Sequence, residues 1–245
     1  MHLSDDERKR YNRQILMDGW GEAAQLKLKK STVFVAGAGG LGSPASIYLA
    51  VAGVGHIKLC DFDATALANL NRQILHDDTR IGANKAVSGK VTLERLNPSI
   101  RVTAITDKIV PGNVDALVGD ADIVIDCMDN FPTRYVLNEC AVRKRIPLVH
   151  GSVRGMEGQL TFIQSPETPC LRCLFAEAPP PEVFPVLGAT PGVIGTMEAM
   201  EALKYLTGVG TTLKNRLLVW NGADMEFRLL KVRRDPDCPT CSQLH

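Results

Sequence analysis

Residues 31–42 read Ser31-Thr-Val-Phe-Val-Ala-Gly-Ala-Gly-Gly-Leu-Gly42, an apolar run rich in β-branched residues that ends in a cluster of glycines. A longer segment with helix-forming residues follows at 43–52, and a second strand-like run occupies 56–61. Short apolar runs bounded by glycine are typical of buried strands, and the longer segment between them is typical of a helix. The region therefore predicts a unit of two parallel strands joined by a helix.

The downstream sequence continues this alternation. Further strand-like runs lie at 101–105, 121–125 and 146–150, separated by helical or loop segments. These runs are apolar without alternation, which is typical of parallel strands covered by helices on both faces. We therefore predict an α/β, Rossmann-like fold with a mostly parallel, twisted sheet, whose doubly wound nucleotide-binding core spans about residues 30–150.

The pattern changes after Gly151. Strands are expected at 158–163 and 216–220, on either side of a helix. Thr190 would cap this helix, Pro191 would lie in its first turn, and Gly208 would end it. The proline-rich run 177–182 predicts an exposed crossing loop. We expect one domain over residues 1–245, in which residues 151–245 add antiparallel strands to the core.

The composition excludes several classes of protein. The chain has 245 residues, with 28 Lys and Arg against 27 Asp and Glu, so a net charge of +1 gives no general attraction to nucleic acid or anionic lipid. No run approaches the roughly 18 consecutive apolar residues of a membrane-spanning helix. The charged N-terminal ten residues differ from a signal peptide. A cytoplasmic location is expected.

Glycines 37, 39 and 42 satisfy the pattern G-x-G-x-x-G between a predicted strand and a predicted helix. Asp61 follows Gly42 by 19 residues and ends the second predicted strand. Glycines let the backbone approach phosphates at a helix N-terminus, and the acidic residue can bind a ribose hydroxyl. This arrangement predicts a nucleotide site, although it does not separate ATP from NAD, and a merely tight turn is the alternative.

Two cations follow the glycine-rich region, Arg72 and Lys85. A triphosphate that loses pyrophosphate needs positive groups to neutralise the growing charge, whereas a dehydrogenase that reads a ribose does not. Each residue alone would be an ordinary surface charge. Their position after the glycines favours binding of a triphosphate.

The seven cysteines include two pairs with the spacing C-x-x-C, Cys170 with Cys173 and Cys238 with Cys241, separated by 64 residues. Four thiolates make a closed tetrahedral zinc site without an open position for water, which indicates a structural role. A redox pair or unligated thiols are the alternatives.

Conspicuous polar and glycine-rich segments span residues 10–241. They are Arg10-Tyr-Asn-Arg-Gln-Ile15, Gly37 to Gly42, Asp61-Phe-Asp63, Asn69-Leu-Asn-Arg-Gln73, Lys85, Asp126-Cys-Met-Asp-Asn130, Gly151-Ser-Val-Arg-Gly-Met-Glu-Gly158 and the two cysteine pairs. In this order and spacing the sequence closely resembles the ThiF/MoeB/HesA family of ubiquitin-activating-like adenylyltransferases, which act on sulfur carrier proteins. The resemblance covers almost the whole chain.

The resemblance implies a role for each matching residue. ATP would be bound by the glycine turn, including Gly40, and by Asp61, Asn69, Arg72, Lys85 and Asn130. Asp129 would hold Mg²⁺, and its position after an apolar strand run agrees with this, although capping of a helix from Asn130 onward is the alternative. Arg13 would reach the triphosphate of the neighbouring subunit, so the resemblance implies a homodimer. The groups assigned to catalysis are Arg13, Arg72, Lys85 and Asp129.

The same resemblance implies the substrates. Mg²⁺-ATP and the C-terminal glycine carboxylate of a small ubiquitin-like carrier ending in Gly-Gly would give an acyl-adenylate and pyrophosphate. The pathway, whether molybdopterin, thiazole or a related one, stays open. Residues 151–245 would bind the carrier and bear the zinc.

One departure concerns the crossing loop. Family members that pass the activated carrier to sulfur often have a cysteine there, but residues 179–186 contain none. Cys60, Cys127 and Cys140 lie in predicted strands or a helix and favour core packing. The hypothesis is that catalysis stops at the acyl-adenylate. An NAD-dependent oxidoreductase and a non-catalytic scaffold that binds a ubiquitin-like partner are the alternatives.

Overall fold

The computed structural model describes residues 2–180 and 183–243, whose strands form a single eight-stranded sheet. The order across the sheet is β3-β2-β1-β4-β5-β6-β7-β8. The strands are β1 (Thr32–Ala36), β2 (His56–Cys60), β3 (Arg101–Ile105), β4 (Ile123–Asp126), β5 (Leu148–Arg154), β6 (Glu157–Ile163), β7 (Arg216–Asn221) and β8 (Glu226–Lys231).

The sheet has a parallel and an antiparallel half. Strands β1 to β5 pair in parallel, whereas β5-β6, β6-β7 and β7-β8 are antiparallel pairs. The predicted Rossmann-like fold with antiparallel C-terminal strands is therefore confirmed. Strand β3 has the predicted bounds, and β5 runs four residues beyond the predicted end at 150 because its second half pairs with β6.

Helices cover both faces of the sheet. They are α1 (Asp5–Arg10), α2 (Asn12–Ile15), α3 (Gly21–Lys30), α4 (Gly42–Ala52), α5 (Lys85–Leu96), α6 (Val114–Val118), α7 (Phe131–Lys144), α8 (Leu171–Leu174) and α9 (Ala189–Thr207). Val33 and Val35 of β1 pack with α3, α4, α5 and α9, while Phe34 and Ala36 pack with α6 and α7. The unalternated apolar run of β1 thus fills two cores, one on each side of the sheet.

Helix α9 begins differently from the prediction. Gly188 is its N-cap residue, and Thr190 lies inside the first turn, so the assignment of Thr190 as cap was wrong. The Thr190 hydroxyl instead donates to the carbonyl of Gly155 at 2.8 Å. The helix ends at Gly208 in the left-handed conformation, as predicted, because glycine adopts a positive φ without a steric cost.

Strand β8 was not predicted. Every residue of it is exposed, including Phe227, Leu229 and Leu230, although residues 226–229 alternate polar and apolar types as those of a half-buried strand do. It lies at the edge of the sheet and pairs with β7 alone. Among the described helices, none combines the length and the apolar character needed to cross a bilayer.

Helix α9 packs so closely on the start of α4 that Gly195 has no room for a side chain. A Cβ at Gly195 would lie 2.3 Å from the carbonyl oxygen of Leu41 and 2.7 Å from Cγ of Pro44. Gly192, in the same helix, has open space at the corresponding position. The contact therefore holds α9 against the residue that precedes α4.

We expect Gly195→Ala to lower the free energy of unfolding by about 1–3 kcal/mol, because the backbone of Leu41 must move. Gly192→Ala is the matched control and should raise it by up to about 1 kcal/mol through helix propensity. Denaturant titration followed by circular dichroism measures both. Equal stability of the two variants would contradict the assigned contact.

Candidate functional site

The predicted site residues follow the carboxyl ends of the parallel strands. Strands β2 and β3 lie on one side of β1, and β4 and β5 lie on the other, so the chain changes direction between β1 and β4. Open α/β sheets bind ligands in the crevice outside such a switch point. The glycine-rich turn follows β1, Asp61 follows β2, and Asp129 and Asn130 follow β4.

The turn after β1 depends on two glycines. Gly37 has φ of +100°, and a Cβ there would lie 2.7 Å from the carbonyl oxygen of Cys127. A Cβ at Gly42 would lie 1.9 Å from the carbonyl oxygen of Gly37. The turn is therefore folded tightly on itself and on the loop after β4, which only glycine permits.

The other two glycines of the turn face neighbouring segments. A Cβ at Gly39 would meet the side-chain amide of Gln73 at 3.6 Å, and one at Gly40 would lie 3.2 Å from Pro191 and 3.6 Å from Cγ of Arg72. The structure thus brings Gly40, Arg72 and the start of α9 together. The predicted motif and the predicted cation are neighbours in space.

Asp61 joins the end of β2 to the turn. One carboxylate oxygen accepts from the amide of Ala38 at 2.8 Å, and the other accepts from the amide of Asp63 at 2.9 Å. Burial raises the pKa of Asp61 above its usual value, while the hydrogen bonds from Ala38 and Asp63 and the charge of Lys85 act in the opposite direction. The Asp61 carboxylate is therefore fixed after β2, the position at which an acidic residue binds a ribose hydroxyl in folds of this kind.

Lys85 lies at the first position of α5, which Asn84 caps by accepting from the amide of Val87 at 3.1 Å. The Lys85 side chain is buried except for a small part, and its Nζ lies 3.2 Å from a carboxylate oxygen of Asp63. The Asn84 side chain also donates to the carbonyl of Asp61 at 2.9 Å. These bonds hold the start of α5 against the end of β2.

Asn69 is the last residue of a 3₁₀ turn at Leu67–Asn69, and Arg72 lies in the segment that follows this turn. The guanidinium of Arg72 donates to the carbonyl of Ala68 at 3.0 Å and to the side chain of Asn71 at 2.9 Å. The carbonyl of Asn69 accepts from the amides of Arg72 and Gln73. The segment is compact, and the half-buried Arg72 is held beside the glycine-rich turn.

Asp129 and Asn130 have different roles in the loop after β4. Asn130 caps α7, since its side-chain oxygen accepts from the amide of Thr133 at 3.0 Å. Asp129 is exposed and accepts from the Asn130 side chain at 3.3 Å. The alternative in which Asp129 caps the helix is therefore wrong, and its exposed carboxylate accepts no bond from the backbone amides at the start of α7 among the described residues.

A buried polar network behind this loop escaped the sequence analysis. Asp126 and His150 are fully buried, and Nδ1 of His150 lies 2.7 Å from a carboxylate oxygen of Asp126. The guanidinium of Arg134 donates to the carbonyl of Met128 at 2.6 Å and to the carbonyl of Gly151 at 3.2 Å. Burial lowers the pKa of His150, although the Asp126 carboxylate opposes this. The network fixes the backbone that presents Asp129. The one sequence feature that could have indicated this network is Asp126, a charged residue at the end of the apolar strand β4.

Arg13 is not brought to this site by its own chain. It is an exposed residue of α2, whose Gln14 side chain donates to the carbonyl of Ala52 at the end of α4. Helix α4 begins at the glycine-rich turn and has 11 residues, so its far end lies about 16 Å away. The structure therefore does not place Arg13 beside the glycine-rich turn of its own chain.

The four paired cysteines form one cluster. Their sulfur atoms all lie within 4.8 Å of one another, with 3.5 Å between Cys170 and Cys238 and 3.4 Å between Cys173 and Cys241. Sulfurs around a tetrahedral zinc ion, each about 2.3 Å from it, are separated by about 3.8 Å. The cluster therefore has the size of a zinc site and joins the C-terminal segment to the loop after β6.

The other three cysteines are buried. Burial raises the pKa of Cys60 to about 12 and that of Cys140 to about 12, and it also raises the pKa of Cys127. Since the thiolate is the nucleophile, these thiols are poor candidates for a covalent intermediate. The crossing loop contributes no cysteine, and its residues 181–182 lie outside the described part of the chain.

Comparison with known proteins agrees with the fold and the motifs. The model of the ThiF family matches residues 11–240. The chain is 42% identical over 247 residues to "Adenylyltransferase and sulfurtransferase MOCS3" of Drosophila sechellia, covering 98% of this chain and 54% of that protein. It is 43% identical over 240 residues to "SAMP-activating enzyme E1" of Haloferax volcanii, covering 96% of this chain and 88% of that protein. The chain spans about half the length of the MOCS3 relatives.

Solved structures have the same fold. A crystal structure of E. coli MccB with MccA-N7isoASN superposes with a TM-score of 0.88 at 23% identity, over 98% of this chain and 76% of that one. A crystal structure of E. coli MccB with ATP gives 0.84 at 25% identity, over 95% and 73% of the two chains. With a family model that covers nearly all of the chain and relatives above 40% identity, the protein belongs to the ThiF family.

Proposed function

We propose that this protein adenylates the C-terminal glycine carboxylate of a small ubiquitin-like sulfur carrier protein. The observation that carries the proposal is the convergence, at one edge of the sheet, of the glycine-rich turn, Asp61, Arg72, Lys85 and Asp129. The relatives named as adenylyltransferase and as SAMP-activating enzyme support the reaction class. ATP and the carrier are the substrates, and an acyl-adenylate and pyrophosphate are the products.

The chemistry needs positioning more than proton transfer. A C-terminal carboxylate is ionised at neutral pH, so it attacks the α-phosphorus without a general base. The bond between the α-phosphorus and the oxygen that bridges it to the β-phosphorus breaks, and negative charge grows on the departing pyrophosphate. Arg72 and Lys85 supply the positive charge, and Asp61 orients the ribose. The glycine-rich turn lets the phosphates approach the backbone at the start of α4.

Asp129 and Asn130 complete the nucleotide site in this proposal. Magnesium needs one or two protein carboxylates, because phosphates and water supply the other oxygens. The exposed Asp129 carboxylate fits this requirement, and bound Mg²⁺ supplies charge neutralisation at the phosphates. The Arg134 bonds to Met128 and Gly151 keep this carboxylate in place.

We also propose a homodimer in which Arg13 of each subunit completes the site of its neighbour. Large apolar side chains are exposed on adjacent helices: Tyr48 and Val51 on α4, and Val87 and Val91 on α5. Leu16 and Met17, next to Arg13, are exposed as well. Clustered apolar surface of this kind marks an interface, and a dimer would bury it while it carries Arg13 to another chain.

The crossing loop is placed to cover the glycine tail of the carrier in this proposal. A tail of glycines has no side chains and can pass through a narrow channel to the α-phosphate. The described part of the loop adjoins Gly155, whose amide donates to the carbonyl of Pro185 at 2.7 Å, and it leads directly into α9 beside Gly40. We place the tail under this loop. Because no accessible low-pKa cysteine lies there, we propose that the product of this chain is the acyl-adenylate.

The paired cysteines are proposed to hold structural zinc. The sulfur separations fit a tetrahedral ion, and four cysteine ligands leave no position open for water. Zinc would tie residues 238–241 to α8 and keep the C-terminal segment folded. Zinc binding requires reduced cysteines, so we expect the protein to work in a reducing compartment such as the cytoplasm.

ATP–pyrophosphate exchange tests the proposed reaction. The purified protein should catalyse exchange only with a ubiquitin-like carrier that ends in Gly-Gly, and Arg72→Ala and Asp129→Ala should each lower the rate at least about a hundredfold. The matched controls Arg95→Ala and Glu139→Ala remove exposed charges from helix surfaces and should keep the wild-type rate. Binding of NAD(H) in place of ATP would favour an oxidoreductase, and ATP binding without exchange would favour a scaffold.

Subunit mixing tests the role of Arg13. Arg13→Ala and Arg72→Ala homodimers should both be inactive, because every site lacks one group. After unfolding and refolding together in equal amounts, half of the dimers are mixed and have one intact site, so about a quarter of the wild-type rate should return. Mixing that restores no activity, with mixed dimers shown by mass spectrometry, would contradict action across the interface.

Metal analysis tests the zinc site. The wild-type chain should contain one zinc ion, and Cys241→Ser should lose it and unfold at a lower temperature, since metal binding is coupled to folding. Cys60→Ala is the control, because its buried thiol lies outside the cluster. If Cys241→Ser retains a full equivalent of zinc, the four-cysteine assignment is wrong.

A further inference from the structure

A buried histidine contacts the glycine-rich turn. Nε2 of His76 lies 2.9 Å from the carbonyl oxygen of Ala38, and Nδ1 lies 2.9 Å from the hydroxyl of Ser88. The amide of Ala38 donates to Asp61 at 2.8 Å. Ala38 therefore forms two hydrogen bonds to side chains. Its N–H donates to Asp61, which follows β2, and its C=O accepts from His76, which lies between Arg72 and α5.

The partners determine the form of the imidazole. A carbonyl oxygen can only accept, so Nε2 must carry a proton, and the Ser88 hydroxyl can donate to Nδ1. Burial lowers the pKa of His76, and the charges of Arg80 and Lys85 lower it further, against the bond to Ala38. A pKa below the usual histidine value favours the uncharged ring at neutral pH, and the carbonyl of Ala38 selects the form with its proton on Nε2.

The bond to Ala38 fixes the direction of the next amide. In a trans peptide the C=O and the following N–H point in opposite directions. Anchoring the Ala38 carbonyl to His76 therefore turns the Gly39 amide away from the histidine. Among the described residues, the amides of Gly39 and Gly40 have no hydrogen-bond acceptor. The amides of Leu41 and Gly42 also have no acceptor among the described residues, so four consecutive N–H groups of this turn remain for a ligand. That of Gly39 belongs to the peptide that His76 holds.

The glycines make such an anchor necessary. Gly39 and Gly40 lack the side chain that would restrict φ and ψ, so an unanchored turn would sample many conformations. His76 also bonds to Ser88, three residues after Lys85 in α5, and Arg80 donates to the carbonyl of Ser88 at 2.7 Å. The histidine thus joins the turn to the helix that carries the predicted phosphate-binding lysine.

We propose that His76 is a positioning residue for the nucleotide, whose Nε2–H holds the Ala38–Gly39 peptide so that the Gly39 and Gly40 amides face the phosphates. The inference rests on the proposed function, because it assumes that a phosphate chain lies over this turn. His76 touches neither the reacting carboxylate nor the α-phosphate in this assignment. Its effect passes through the backbone of the turn.

The test compares two amide substitutions. The side-chain nitrogen of Gln reaches the position of Nε2, whereas that of Asn reaches only the position of Nδ1. His76→Gln should keep the bond to Ala38 and bind ATP within about twofold of the wild type. His76→Asn should lose it and bind ATP about tenfold more weakly, since a buried carbonyl is left without its donor and the turn is released.

Adenosine provides the readout that distinguishes positioning from general damage. It can use Asp61 but has no phosphates, so His76→Asn should bind adenosine as the wild type does, while its affinity for ATP falls. Isothermal titration calorimetry measures both ligands on the intact protein. An equal loss for adenosine and ATP, unchanged ATP binding by His76→Asn, or a loss in His76→Gln as large as in His76→Asn would each overturn the proposal.

A measurement on the wild type keeps the proposal testable if a variant fails to fold. Nitrogen-15 spectra should show the His76 ring neutral and protonated on Nε2 at pH 7, before and after ATP is added. A ring protonated on Nδ1 alone would overturn the assignment, because Nε2 could then not donate to Ala38. If the wild type binds no ATP, the proposed function itself fails, whereas ATP binding that is indifferent to His76 removes this inference alone.

Discussion

The close backbone approach at the turn between β1 and α4 is the constraint on which the rest of the site depends. Gly42 has no room for a Cβ because the carbonyl of Gly37 lies where that atom would be, and Gly37 has none because of the carbonyl of Cys127. The first contact folds the turn, and the second joins it to the loop after β4. The glycine-rich turn and the segment that bears Asp129 are therefore packed together as one unit.

This unit explains which parts of the protein were predictable. Glycine spacing, the acidic residue after β2 and the apolar strands follow local rules, so the parallel half of the sheet could be read from the sequence. The start of α9 could not, because Thr190 is a good cap by type but bonds to Gly155 across the fold. Strand β8 was also missed, because its alternation of polar and apolar types covers only residues 226–229 and neither core contains a residue of this strand.

The candidate site also has a part that the sequence predicts and a part that it does not. Motif residues such as Asp61, Lys85 and Arg72 could be named because their types and order carry chemical meaning. The buried polar contacts around the site could not be named from the sequence, because their partners are distant along the chain. These contacts join His150 to Asp126, Arg134 to the carbonyl of Gly151, and His76 to the carbonyl of Ala38. A single sequence identifies charged groups more readily than the buried polar contacts that aim them. Arg13 shows the limit, because its position in one chain lies far from the turn.

Arg72 and Lys85 have partners in the free chain that a triphosphate, as proposed, could replace. Lys85 contacts Asp63, which is half exposed, and Arg72 contacts a carbonyl and the Asn71 amide oxygen. Asp63 is half exposed, and Arg72 contacts only uncharged acceptors, so charged phosphate oxygens would be stronger partners for Arg72 and could compete with Asp63 for Lys85. The same pairs keep both side chains near the turn before the nucleotide binds, which reduces the entropy lost on binding. Rigid backbone and exchangeable side-chain partners together give a site that is preorganised and still open to its ligand.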